Sequence, residues 1–264
     1  MFRAEDYVKV DSLAEAYELC KKRSSLVVGG NVWLKMTGVT KRTIVDLSGL
    51  GLDKIEETGD EFRIGCMCTL RQLEIHQGLN QYFGGIFKEC TRHIVGVQMR
   101  NCATVGGSIF ARFGFSDILT CMMALDTYVE LYHRGIVPLA EFAKRPVRRD
   151  DKDILVRIII KKDGRKAAYA TQRNTKTDFP VIACCVSRGG NVWYVSVGAR
   201  PSRAQVVKVT DDGFDSLAEM AREAADSFSY GTNTRGSSEY RRQLTAVYTR
   251  RLMERLTGRS VSRG

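Results

Sequence analysis

"NCATVGGSIFARFGFSD", residues 101–117, decides how this chain is read. A β-branched residue, Val105, precedes Gly106-Gly107, and the small polar Ser108 follows. A lone Gly-Gly-polar triplet is most simply a hairpin turn. Gly189-Gly190-Asn191, between "VIACCVSR" and "VWYVSVGAR", reads that way. Gly106-Gly107 instead leads into "SIFARFGFSD", irregular and half apolar, which closes on Ser116-Asp117. Glycine lets consecutive backbone N–H groups point into one concavity with no Cβ in the way, a geometry suited to an anion. Thr104 and Ser108 would add side-chain donors, and Ile109 and Phe110 would line an aromatic group.

The same motif occurs earlier. "VVGGNVWLKM", residues 27–36, leaves a β-branched run through Gly29-Gly30-Asn31 and continues with Val32 and Trp33, not with a returning strand. Neither loop carries the Gly-Lys-Ser/Thr of a P-loop. Neither fits GxGxxG, so a Rossmann nicotinamide site is not supported.

Around the loops, helix and strand patterns alternate. Ser12-x-x-Glu15 is a capping box for a helix with Leu13, Ala16, Tyr17 and Cys20 at helical spacing. Residues 25–28 and 43–48 read as strands, so 1–56 are expected to form a small α/β unit. A second unit, 57–163, opens on the strand "EFRIGC" (61–66). It continues with a helix capped by Thr69-x-x-Gln72, a helix over 87–94, and strands at 127–133 and 153–162. A third unit, 164–257, carries three strand-like runs and two helices, from about 215 to 228 and over 238–256. Tyr240, Leu244, Val247, Tyr248, Leu252 and Leu256 make the expected apolar stripe of the last helix. The economical assembly is an antiparallel sheet with both helices on one face. The tail, 258–264, is expected to be disordered. The fold class is α+β.

Composition narrows the function. The chain has 264 residues, 44% hydrophobic and 27% charged, which suits a soluble globular protein. No window approaches ~18 uninterrupted apolar residues, and the N-terminus has no apolar signal region. No membrane span is expected, and the cytoplasm is the expected location. Eight dispersed cysteines show no CxxC or zinc spacing and read as free thiols of a reducing compartment, with Cys66 and Cys68 as small buried residues. In Cys184-Cys185 the two side chains should point to opposite faces of a strand. The net charge of +11 gathers in "KRPVRRDDK" (144–152) and in the C-terminal arginines. No nucleic-acid motif accompanies it, so a nucleic-acid partner is not expected.

Taken together, these stretches are familiar. "VVGGNVWL" and "VQMRNCATVGGSIFARFGFSD" (97–117) resemble the two pyrophosphate loops of the flavin-binding, medium subunit of the molybdenum hydroxylases. That family includes the flavoproteins of xanthine dehydrogenase and carbon monoxide dehydrogenase. "TRGSSEYRRQLTAVYTRRLMERL" (234–256) resembles its terminal helix, with the signature Gly236-Ser237-x-x-Tyr240-Arg241. The resemblance implies a two-part FAD-binding domain of the vanillyl-alcohol-oxidase/PCMH type followed by a C-terminal α+β domain. FAD would lie extended between the first two parts. Its implied contacts are Val27, Val28, Gly29, Gly30, Asn31, Val32 and Trp33 in the first loop. In the second they are Ala103, Thr104, Gly106, Gly107, Ser108, Phe110, Ala111, Ser116 and Asp117. Ile94 would lie against the flavin ring and Leu155 on the far side. Asp117 would accept from a cofactor hydroxyl or ring N–H.

The resemblance also implies a molybdopterin-binding catalytic subunit and a [2Fe-2S] subunit as partners, with those cofactors held on the partners only. NAD+ or oxygen would take the electrons. There are departures from the family pattern. Ser108 stands where Asn is commoner, "ARFGFSD" replaces a stretch of small residues, and Ala170 stands where some members have a lysine near the flavin.

Histidines 76, 93 and 133 pair with no Ser or Cys in a nucleophile motif, so no catalytic side chain is nominated and the flavin carries the chemistry. His93 is placed to approach the ring. Arg100 reads equally as a cofactor contact or a structural pair. Two other readings stay open, a free-standing FAD-dependent oxidoreductase and a degenerate scaffold without flavin. The first lacks a nominated acid or base. Against the second stand the intact glycines 29, 30, 106 and 107.

Overall fold

The computed structural model describes residues 2–146 and 152–258. β1 (Arg3–Lys9), α1 (Leu13–Lys21), β2 (Ser25–Val28) and β3 (Thr40–Asp46) open the chain. The strands form a parallel three-stranded sheet in the order β1-β3-β2. β1 has no apolar alternation and is almost wholly exposed. Its parallel ladder with β3 holds it in place. Ser12 caps α1 by accepting from the Glu15 N–H at 3.1 Å. Glu15 reaches back to the N–H of Asp11, not of Ser12, so the expected capping box is shifted by one residue.

The middle of the chain contributes β4 (Ile55–Glu57), β5 (Glu61–Gly65), α2 (Leu70–Ile75), α3 (Gln77–Tyr82), α4 (Ile86–Thr91), α5 (Val97–Cys102), α6 (Val105–Phe110) and α7 (Asp117–Met123). β6 (Thr127–Leu131), β7 (Gly135–Pro138), α8 (Leu139–Lys144) and β8 (Leu155–Lys161) follow. Five strands pair antiparallel in the order β4-β5-β8-β6-β7. The capping box at Thr69 and Gln72 is complete and starts α2. His76 joins α2 to α3, its Nδ1 accepting from the Leu79 N–H at 3.1 Å.

β9 (Lys166–Gln172), β10 (Ile182–Gly189), β11 (Val192–Gly198) and β12 (Gln205–Thr210) form an antiparallel sheet in sequence order. Gly190 turns the β10–β11 hairpin at φ 63°. α9 (Leu217–Asp226) and α10 (Ser238–Thr257) cover one face of this sheet, and α4 and α7 pack on the other. β10 is therefore buried on both sides. Cys184 belongs to the core under α9 and α10, and Cys185 to the core shared with the middle of the chain, as the period of two requires.

α10 turns four of its six stripe residues inward, Leu252 into the core and Leu244, Tyr248 and Leu256 against it, and buries polar residues beside them. Its buried residues are Arg241, Thr245, Thr249, Leu252 and Met253, while Tyr240 and Val247 are exposed. Arg241 anchors that polar face. Its guanidinium donates to the carbonyls of Val181, Gly231 and Gly236 and to Asn233 Oδ1 at 2.5–2.8 Å. A buried cation is stable only when its donors are paired in this way. Of the tail, Gly258 ends α10 in the left-handed region, and 259–264 lie outside the described residues.

Candidate functional site

The two glycine loops touch. A Cβ on Gly30 would overlap the Cys102 carbonyl, and one on Gly29 would overlap the Thr104 hydroxyl. At Gly106 a Cβ would come within 2.5 Å of the Cys66 carbonyl oxygen. Three of the four glycines are thus required by close approach of backbone to backbone or side chain. Gly107 differs, for a Cβ there would meet only Thr104 Oγ1, at 3.1 Å.

The N–H groups of the two loops are not equivalent. In the second loop Val105 donates to Cys68 O, Gly106 to Cys66 O and Gly107 to Thr104 Oγ1, all at 2.8–3.1 Å. Ser108 closes the first turn of α6 by donating to Thr104 O. In the first loop the N–H groups of Gly30, Asn31, Val32 and Trp33 meet no acceptor among the described residues. Asn31 stands at φ 52°, a backbone region that few non-glycine residues occupy. Its Oδ1 is buried and without a partner among the described residues. Unpaired buried polar atoms are costly, so this cluster fits an external partner. A cavity of about 350 Å3 opens beside it; Gly29, Asn31 and Tyr7 are in its lining, together with the carboxylates Glu5, Asp6 and Asp46.

From Thr104 a line of polar contacts runs to a second cavity. Ser108 Oγ donates to Thr104 O at 3.0 Å, and Ser116 Oγ donates to Ser108 O at 2.9 Å. Ser116 also caps α7 by accepting from the Leu119 N–H. That cap puts Asp117 in the first turn of α7, fully buried. Asp117 accepts from the Tyr169 hydroxyl at 2.5 Å and from Arg173 at 2.6 Å. Burial pushes the Asp117 pKa up, and Arg173 and Tyr169 pull against that rise. Arg173 in turn borders a cavity of about 240 Å3, lined by His93 and residues 171–176. The nearest cation in sequence is Arg112, yet the fold supplies the Asp117 partner from 56 residues away.

The other expected residues are dispersed around this line. Val27 and Val28 end β2. Ala103 and Ala111 close α5 and α6. Phe110 packs on Phe142 with ring centres 5.9 Å apart. Leu155 is buried in β8 opposite Leu131, and Ala170 pairs with Cys184 in the β9–β10 ladder. Ile94 is half-buried, and its carbonyl accepts from Arg100 at 3.1 Å. Arg100 also grips Glu74 with two hydrogen bonds, at 2.9 and 3.2 Å, so it is a structural pair. Burial pushes the Glu74 pKa up, but hydrogen bonds from Arg71 and Arg100 outweigh it and hold the carboxyl below its usual range.

Sequence reading missed the aromatic seal and the basic cavity. Trp33 contacts Phe113, Phe115 and Phe179, with centroids 5.4–5.7 Å apart. Phe115 and Phe179 lie 4.2 Å apart. The seal joins the first loop, the second loop and the β9–β10 connection. The phenylalanines in "ARFGFSD" were the available clue. Phe179 and Arg173 gave none, because only folding brings them near. All eight cysteines are free; Cys102 is exposed and the other seven are buried, with burial pushing Cys66 and Cys68 up to about 12. Among the described residues no group of His, Cys, Asp or Glu is arranged to hold a metal.

For FAD the donor set fits. Free N–H groups suit pyrophosphate oxygens and the orphaned Asn31 Oδ1 suits a ribose hydroxyl. Comparison with known proteins agrees. Residues 1–161 match the family model described as the FAD binding domain in molybdopterin dehydrogenase. The chain is 25% identical to the nicotine 6-hydroxylase medium subunit of Paenarthrobacter nicotinovorans, covering 93% of this chain and 94% of that one. It is 24% identical to the uncharacterized protein YgfM of Escherichia coli K12, covering 92% and 93%. A chain in the crystal structure of quinoline 2-oxidoreductase from Pseudomonas putida 86 superposes with a TM-score of 0.83 at 19% identity, over 98% of this chain and 99% of that one. The chain belongs to the family of FAD-binding domains of the molybdopterin dehydrogenases.

Proposed function

We propose that this chain is the electron-transfer subunit of a multi-subunit molybdenum hydroxylase, with FAD lying extended from the Asn31 cavity to the His93 cavity. The observation that carries this reading is the line of contacts from Thr104, which abuts Gly29 of the first loop, through Ser108 and Ser116 to the neighbouring Asp117 and its partner Arg173. It begins beside the unsatisfied N–H groups of the first loop and ends in a basic pocket. The first loop binds the pyrophosphate through its backbone. The second loop supports it, since its own first-turn N–H groups are occupied. Asp117 acts from behind the site by holding Arg173 and Tyr169, and Ile94 and the Trp33 seal exclude water.

When bound, FAD supplies the exchange between single electrons and electron pairs. The protein adds no acid or base to that chemistry. On this reading the division at about residues 56 and 163 separates two FAD-binding parts from a C-terminal domain. The partners are a [2Fe-2S] subunit that delivers electrons and a molybdopterin subunit that oxidises the substrate. NAD+ or oxygen is the acceptor, and a nitrogen heterocycle is the substrate class, by analogy with the relatives' names.

The test is purification of the tagged full chain from its native cells, followed by metal analysis and identification of any released chromophore. FAD, iron and molybdenum in one complex support the reading. FAD on a lone polypeptide would replace it with a free-standing flavoenzyme. A colourless protein that takes up no added FAD would point to a scaffold.

A further inference from the structure

The cavity of about 240 Å3 beside β9 has an unusual donor set. His93 Nδ1 and Arg173 Nε are both buried, and neither has a hydrogen-bond partner among the described residues. The Arg173 side chain is 7% exposed. One of its terminal nitrogens is committed to Asp117 and the other to the Asp178 carbonyl, so Nε is the donor left over. His93 Nε2 accepts from Arg92 Nε at 3.1 Å, which assigns the remaining ring proton to Nδ1. Burial first, and then the charges of Arg92, Arg173 and Lys176, hold the His93 pKa down. The imidazole is therefore a neutral donor; the Arg173 charge is shared with Asp117, and Lys176 carries the further positive charge of the pocket. Asn174 and Thr171 complete its polar wall. Buried donors without acceptors in a cationic pocket call for a ligand that presents acceptors and negative charge together.

We propose that Arg173 and His93 form an anion-stabilising pole that receives an acceptor edge carrying delocalised negative charge. Two sources share this chemistry. One is the N1–C2=O edge of a bound isoalloxazine ring, which becomes electron-rich on reduction. The other is a free planar oxyanion. The first source rests on the function proposed above and deepens it. Arg173 is then a positioning and charge-compensating residue of the flavin site. It supplies from the end of β9 a cation that the uncharged Ala170 within that strand does not.

Sulfite addition reads this pole directly. The sulfur lone pair forms an N5–S bond with the oxidised ring, and the displaced electron pair settles on the N1–C2=O edge. Electrons are conserved, and no further reductant is needed. The experiment loads the full chain with FAD, measures the stoichiometry, and titrates sulfite while following bleaching of the visible flavin band. The fraction of Arg173→Met that keeps FAD should bind sulfite about 10- to 100-fold more weakly, as expected for loss of a charge-assisted hydrogen bond. Arg173→Lys should restore most of that affinity, and His93→Phe should weaken it by a smaller factor. A merely structural Arg173 would leave the sulfite constant unchanged in every variant that keeps its FAD, which would overturn the proposal.

His93→Phe gives the decisive reading if Arg173→Met fails to fold. If the parent chain takes up no FAD, the proposed function fails, and calorimetric titration of the same protein with nitrate decides the pole. Binding that Arg173→Lys or His93→Phe weakens assigns the free oxyanion. No binding overturns the proposal.

Discussion

Asp117 Oδ2 and the Arg173 guanidinium lie 2.6 Å apart, with both side chains more than nine-tenths buried. The contact ties α7 to the end of β9 and closes the line of polar groups from the first loop. Removing one partner strands the other in a low-dielectric site. Asp117→Ala should cost about 3–5 kcal/mol. The double variant Asp117→Leu/Arg173→Met should cost less than Asp117→Ala alone, because no charge is left uncompensated. Urea unfolding of the full chain, arranged as a double-mutant cycle, checks both.

Gly30 and Gly107 should respond in opposite ways to alanine. At Gly30 a Cβ would overlap the Cys102 carbonyl, so the loops must part. Gly30→Ala should lose about 1–3 kcal/mol and its FAD affinity as well. Gly107→Ala meets only Thr104 Oγ1 and should fold like the parent. Gly107→Trp should also fold but lose FAD, its ring filling the space beside the loop. Thermal melts and FAD titration of the three variants separate these outcomes.

Trp33 offers an internal reporter. The only other tryptophan, Trp193, is fully buried among β10, β11 and the helices over them. Binding of FAD along the first loop should quench Trp33 fluorescence. Trp33→Phe should abolish most of the quenching while keeping the aromatic seal. Quenching that persists undiminished in Trp33→Phe would place the cofactor elsewhere. Phe179→Ala should loosen the seal by about 0.5–1.5 kcal/mol for each aromatic pair lost.

Much of this architecture could be read from residue patterns. The strand over 25–28, the capped helix at Thr69 and the Gly189–Asn191 hairpin appear where periodicity and turn chemistry place them. β1 was missed because its side chains are exposed and carry no alternation. β12 was missed for a similar reason, lying at the edge of its sheet with one buried residue. The polar part of α10's buried face was hidden because Arg241 finds its acceptors in the loop just before the helix and at Val181, 60 residues away. The two loops were legible as a pair. What each contributes was not, since glycine marks close backbone approach as readily as it marks free N–H groups. The Arg173 pole depends on a contact between residues 56 positions apart, which no local pattern encodes.

Acid should loosen the Ile94 segment. The folded Glu74 pKa is lowered, so the unfolded chain takes up the proton first. The stability Glu74 contributes is fully present above about pH 4.3, the unfolded glutamate value, and is lost as pH falls through the lower folded one. Arg100 then loses its partner while still holding the Ile94 carbonyl. The melting temperature should fall on that acid limb. Glu74→Gln should flatten the limb and lower the melting temperature at neutral pH. An unchanged limb in Glu74→Gln would assign it to other carboxylates.

The most direct measurement is calorimetric titration of the purified, full-length apoprotein with FAD, followed by the visible spectrum of the product. The account predicts one FAD per chain, with ADP competing through the first loop and Gly30→Ala showing no saturable binding. A folded protein that binds neither FAD nor ADP, or that binds FAD equally well with Gly30→Ala and Gly107→Trp, would contradict it.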